Sequence, residues 1–119
     1  MEHRAQQHHR ERLADAMREE ISAIVEGELA DPRIGLATVT NVEIVPDGKS
    51  AIVSINVPEA DEEKSALAGL EAAKGFIKHE LVERLHLRHA PELHFRLDHS
   101  QQIETRINTL LERVKKRQK

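Results

Sequence analysis

The chain has 119 residues, enough for one domain around one core, and no cysteine, which excludes disulfides, thiolate nucleophiles and thiolate metal ligands. Lys and Arg together number 18 against 21 Asp and Glu, so the chain is not basic overall, and with two Phe and no Trp or Tyr it lacks the aromatic platforms on which RNA-recognition and OB modules stack bases. No apolar run approaches the roughly 18 residues of a membrane span, and the polar N-terminus carries no apolar signal region, so a cytoplasmic protein without membrane contact is expected.

Residues 1–9 are polar and are expected to be flexible. A helix is predicted over residues 10–29, where Leu13, Met17, Ile21, Ile24 and Val25 form an apolar stripe. Asp31-Pro32 ends it, because the residue before a proline is pushed out of the α region. Residues 36–45 are rich in β-branched side chains and read as a first strand, but their mixed pattern does not settle its phase. Pro46-Asp47-Gly48-Lys49 is a turn, with Pro presetting φ and Gly supplying a positive one. In the second strand, residues 50–57, Ala51, Val53, Ile55 and Val57 alternate with Ile52, Ser54 and Asn56. The two strands are predicted to pair as an antiparallel hairpin.

After a loop at residues 58–60, Asp61 is placed to cap a helix whose dipole favours Glu62 and Glu63 in the first turn. The helical pattern spans residues 62–87 and contains Gly75. A glycine inside a helix costs about 1 kcal/mol relative to Ala, so a break near Gly75, or close approach of another backbone there, is expected. Pro91 opens a third strand in which Leu93, Phe95 and Leu97 alternate with His94, Arg96 and Asp98. A last helix begins near Ser100, with Ile103, Ile107, Leu110, Leu111 and Val114 on its apolar face. The tail that follows is basic, and residues 115–119 are expected to be flexible. The expected architecture is α+β: a single domain over residues 1–119, with helices packed on one face of a three-stranded sheet.

Little in the chain points to catalysis. No serine sits in a G-x-S-x-G context and no glycine-rich phosphate loop is present, so no enzyme is expected. Glu62 and Glu63 read as helix-start charges. His86-x-x-His89 with His94 invites a metal, but the interval crosses a helix end and no H-E-x-x-H accompanies it, so no metal or cofactor is expected. The cations are more suggestive. Lys74 and Lys78 are four apart, as are Arg84 and Arg88, and Arg33 follows a conformationally fixed proline. Glu80 and Glu83 dilute this patch, and Asp31 could pair with Arg33. His79, His86 and His89 lie in or just after the same helix and could add charge as pH falls through the ordinary His range.

Strand, helix, turn, helix, strand is the core of a KH domain, here with an extra helix and strand in front. KH domains clamp nucleotides with a G-x-x-G loop between the two helices. This chain has no two glycines three apart and carries Ala73-Lys74-Gly75 instead. There it resembles the ribosome-binding factor A family of bacteria. Asp31-Pro32-Arg33-Ile34-Gly35 is similar to that family's helix-to-strand junction, and residues 38–44 resemble its first strand. Ala73-Lys74-Gly75-Phe76-Ile77 resembles its kink, while residues 84–93 with Phe95, and then Arg106-Ile107-Asn108-Thr109-Leu110-Leu111, resemble its later elements. The resemblance implies a KH-like (type II) fold with helix–kink–helix in place of the G-x-x-G loop. It also implies a non-enzymatic factor that binds 16S rRNA on the free 30S subunit during late maturation, notably in the cold, as a monomer alongside assembly GTPases. On that basis Arg33, Ala73, Lys74, Gly75, Lys78, Arg84 and Arg88 are the expected RNA-binding residues. The alternatives are a general single-stranded RNA-binding KH protein and a protein-interaction adaptor that docks through its sheet or its acidic segment at residues 59–63.

Overall fold

The structure, a computed structural model, describes residues 2–117, with side chains from Arg4 onward. Its elements are α1 Glu2–Ala23, β1 Thr38–Ile44, β2 Ser50–Asn56, α2 Glu63–Leu85, β3 Glu92–Leu97 and α3 Ser100–Arg117. Gln118 and Lys119, the end of the basic tail, lie outside the described residues. The first helix begins at Glu2, well ahead of the predicted residue 10. The residues added are good helix formers such as Ala, Gln, Glu and Arg, with no Gly or Pro to stop propagation, although they bury little. A π-type turn, Ile24–Glu28, widens the end of α1, and the Leu29 N–H donates to the Ile24 carbonyl at 3.0 Å.

The hairpin forms as predicted: β1 and β2 pair antiparallel, and β3 joins β2 in parallel, giving the order β1-β2-β3. The undetermined phase of β1 has a physical cause. The register shifts between Val39 and Asn41, so a bulge at Thr40 lets Val39 and Val42 both face the core despite their odd spacing. On that face, Ala51, Val53 and Ile55 of β2 and Leu93 of β3 meet Met17 and Ile21 of α1, Ile24 of the turn, and Ala66, Leu70, Ile77 and Leu81 of α2. All these side chains are buried and together form one core.

Asp61 does not cap α2: it lies in a 3-10 turn, Ala60–Glu62, that leads into the helix, and Glu62 takes the cap position without a side-chain hydrogen bond. Two further expectations need correction. α2 runs from Glu63 to Leu85 without interruption, so the helix is not broken at Gly75. Gly75 has no positive φ, and a Cβ added there would meet nothing within 4 Å. The close approach occurs instead at Gly69, where an added Cβ would lie 2.9 Å from Ile34 Cγ1 and 3.3 Å from Arg33 Cβ. α2 thus rests its glycine on the turn after α1, and only a residue without a side chain fits. The second correction concerns α3. Helices α1 and α2 pack on the inner face of the sheet, but α3 projects away from it. Ile103, Ile107, Leu110, Leu111 and Val114 are 50–57% exposed, and the molecule measures 60 × 43 × 19 Å. No described helix is long and apolar enough to cross a membrane.

Candidate nucleic-acid interface

The expected RNA-binding residues fall in three places. Lys74 and Lys78 lie on the flank of α2 that faces β3, where both reach Glu92. Lys78 Nζ is 2.8 Å from Glu92 Oε2, and Lys74 Nζ is 4.0 Å from Oε1 and 2.8 Å from Glu71 Oε2. The Lys74 ammonium also lies 5.8 Å from the centroid of the Phe95 ring, within cation–π range. Its side chain is only 20% exposed. Lys78, followed by Lys74, holds the Glu92 carboxyl below its ordinary range.

Arg84 lies on the opposite flank, facing α1. Its guanidinium pairs with Glu28 in the π-type turn, with Glu80 at 3.0 Å one turn back on α2, and with Glu20 of α1 at 3.3 Å. The wide turn brings Glu28 to this meeting point. The hydrogen bond to Glu28 is the main reason the Arg84 pKa is raised, and Arg84 in turn lowers that of Glu28. A fork of donors meeting three carboxylates from separate elements is a clamp that ties α1 to α2.

Arg33 is the third place. Its backbone N–H donates to Asp31 Oδ1 at 2.9 Å, and its guanidinium reaches Asp31 Oδ2 at 2.6 Å. Arg33 lowers the Asp31 pKa through these hydrogen bonds. Arg88 follows the end of α2, is exposed, and is the one cation of the expected set with no ion pair among the described residues. Ala73 is partly buried against the core, whereas Gly75 and Phe76 face outward, Phe76 with 48% of its surface exposed.

Sequence reasoning named Asp31 as a partner for Arg33 and placed Glu80 in the patch, but missed the carboxylates that come from distant segments. The Glu80–Arg84 pair was open to it as an i, i+4 pair, but the contributions of Glu20, Glu28 and Glu92 come from distant segments and leave no local signal. His79, His86 and His89 are all exposed. Among the described residues, no group of three or more His, Cys, Asp or Glu could hold a metal ion.

Residues 9–111 match the family model for ribosome-binding factor A. The chain belongs to the ribosome-binding factor A family. It is 58% identical over 120 aligned residues to ribosome-binding factor A of Koribacter versatilis, covering 100% of this chain and 98% of that one. It is 43% identical over 104 residues to that of Thermomicrobium roseum, covering 87% and 81%. The crystal structure of ribosome-binding factor A from Thermus thermophilus superposes with a TM-score of 0.66 at 26% identity, over 74% of this chain and 94% of the other. A homology model of the Thermus factor, as fitted into the cryo-EM map of a 30S complex, matches with a TM-score of 0.55 at 26% identity, over 71% and 93%. The α+β, KH-like architecture is therefore shared with this family.

Proposed function

We propose that this protein is a non-enzymatic assembly factor that binds 16S rRNA on the free 30S subunit and assists its late maturation, acting in the cytoplasm as a single-domain monomer. What supports this most is family membership, together with a relative fitted into a 30S complex. Assembly GTPases would act beside it, and growth in the cold would depend on it most.

Of the seven expected contact residues, the geometry favours Lys74, Lys78 and Arg88, with Gly75 leaving the outward face of α2 open to an RNA backbone. Ala73 would contribute by keeping the helix surface low beside Lys74. Lys74 and Lys78 would exchange the Glu92 carboxylate for phosphate, whereas Arg33 and Arg84 would have to leave carboxylates that each guanidinium holds through several hydrogen bonds. Lysine contacts to phosphate position a protein on RNA but do not read sequence, so specificity would come from rRNA shape and ribosomal neighbours. Sedimentation of tagged protein through sucrose gradients tests the reading. Co-sedimentation with free small subunits and not with 70S ribosomes is expected. An even spread across fractions, or none on small subunits, would refute it.

A further inference from the structure

Lys74 and Lys78, one turn apart on α2, converge on the two oxygens of a single carboxylate, at 4.0 Å and 2.8 Å. A carboxylate held in this way presents what a phosphodiester presents: two anionic oxygens on one centre, facing two cations. The partners differ in freedom. The lysine side chains are 20% and 32% exposed, and Lys74 is further held at the Phe95 ring, whereas the Glu92 side chain is 50% exposed. The Glu92 backbone is fixed, since its N–H donates to the Lys49 carbonyl at 2.8 Å, but its carboxylate can turn into water. The two cations are the preorganised half of the contact and the carboxylate is the replaceable half.

We propose that Lys74 and Lys78 form a seat for one backbone phosphate of rRNA, and that Glu92 is its resident occupant, displaced when the phosphate arrives. This rests on the subunit-binding surface proposed above. Glu92 then acts as a specificity device. A phosphate brought in by a well-matched interface replaces both ion pairs, whereas a casually encountered RNA must break them without other contacts to compensate. The other charged groups facing the carboxylate are Glu71, which shares Lys74, and His94 on β3.

The test measures binding of the full chain to purified small subunits and to polyuridylate at one salt concentration. Glu92→Gln should tighten binding to small subunits about threefold and to polyuridylate by a larger factor, so the ratio of the two affinities falls. Glu26→Gln, an equal charge change at an exposed residue of the π-type turn, should alter neither. In a Lys74→Ala, Lys78→Ala background the gain from Glu92→Gln should vanish. Absence of a gain, a gain matched by Glu26→Gln, or a gain that persists without the lysines would each overturn the proposal. If the double lysine variant alone binds small subunits as tightly as the unaltered chain, the proposed surface itself is what fails. Melting curves for each variant establish that binding is compared between folded proteins.

Discussion

Gly69 and Gly75 stand on the same helix and should respond in opposite directions to the same methyl group. At Gly75 the backbone is ordinary helix and the space beyond is open, so Gly75→Ala should stabilise the protein by up to about 1 kcal/mol. At Gly69 the same gain in helix propensity meets Ile34 Cγ1 at 2.9 Å, in the middle of a buried side chain. Overpacking costs about 1–3 kcal/mol, so Gly69→Ala should destabilise by about 1 kcal/mol net. Urea unfolding of both variants checks the pair, and a stabilised Gly69→Ala would show that the turn at Ile34 yields easily. Helical periodicity marks a glycine as costly but does not show what approaches it, and so Gly75 drew attention while Gly69, among the buried Ala66 and Leu70, did not. His86 is the complementary case. It ends α2 with φ at +55°, and the Leu87 N–H returns to the Val82 carbonyl in a Schellman-type cap. Glycine is the usual residue there, so His86→Gly should raise stability by about 1 kcal/mol, visible as a melting temperature a few degrees higher.

Among the elements, the hairpin, the third strand and the alternating inner face of β2 were all readable from periodicity. The placement of α3 was not. Its apolar spacing predicts burial, yet it is tied to the rest of the molecule chiefly through its first turn. The Thr40 hydroxyl, re-aimed by the bulge in β1, donates to Asp98 Oδ2 at 2.7 Å, while Asp98 Oδ1 accepts from the Ser100 N–H at 2.9 Å. Gln102 Nε2 donates to the Val57 carbonyl at 3.1 Å, and His99 meets Glu63 at 3.0 Å. An acidic residue just ahead of a helix and a hydroxyl on a distant bulge are linked by nothing local in the sequence. The Thr40 hydroxyl and then the Ser100 side chain and N–H hold the Asp98 carboxyl at about 2, below its ordinary 3.8. Because the folded value is the lower one, this contribution to stability is complete above about pH 4 and is lost as pH falls toward 2. Amide exchange in the first turn of α3 should therefore accelerate between pH 4 and 2, relative to the rate expected for the unprotected amides. Asp98→Asn should remove that extra pH dependence, and an unchanged profile would mean that Asp98 does not hold α3.

For the whole molecule, the folded chain spends most of the cations expected to bind RNA on its own carboxylates, and this sets how binding should respond to salt. Each phosphate neutralised contributes about −0.7 to −0.9 to the slope of log affinity against log salt concentration. If Lys74 and Lys78 share one phosphate and Arg88 meets another, the slope for small-subunit binding should be about −1.4 to −1.8. Lys74→Ala with Lys78→Ala should make it shallower by about 0.7 to 0.9. Arg84→Ala should behave differently although it removes the same charge as one lysine. It leaves Glu20, Glu28 and Glu80 facing one another between α1 and α2, so the melting temperature should fall while the slope stays unchanged. Lys78 and Arg84 were indistinguishable in the sequence as members of basic i, i+4 pairs, and only their opposite flanks on α2 separate them. A slope altered by Arg84→Ala and untouched by the lysine changes would reverse the assignment, making the clamp the RNA contact and the Glu92 bridge a purely structural one.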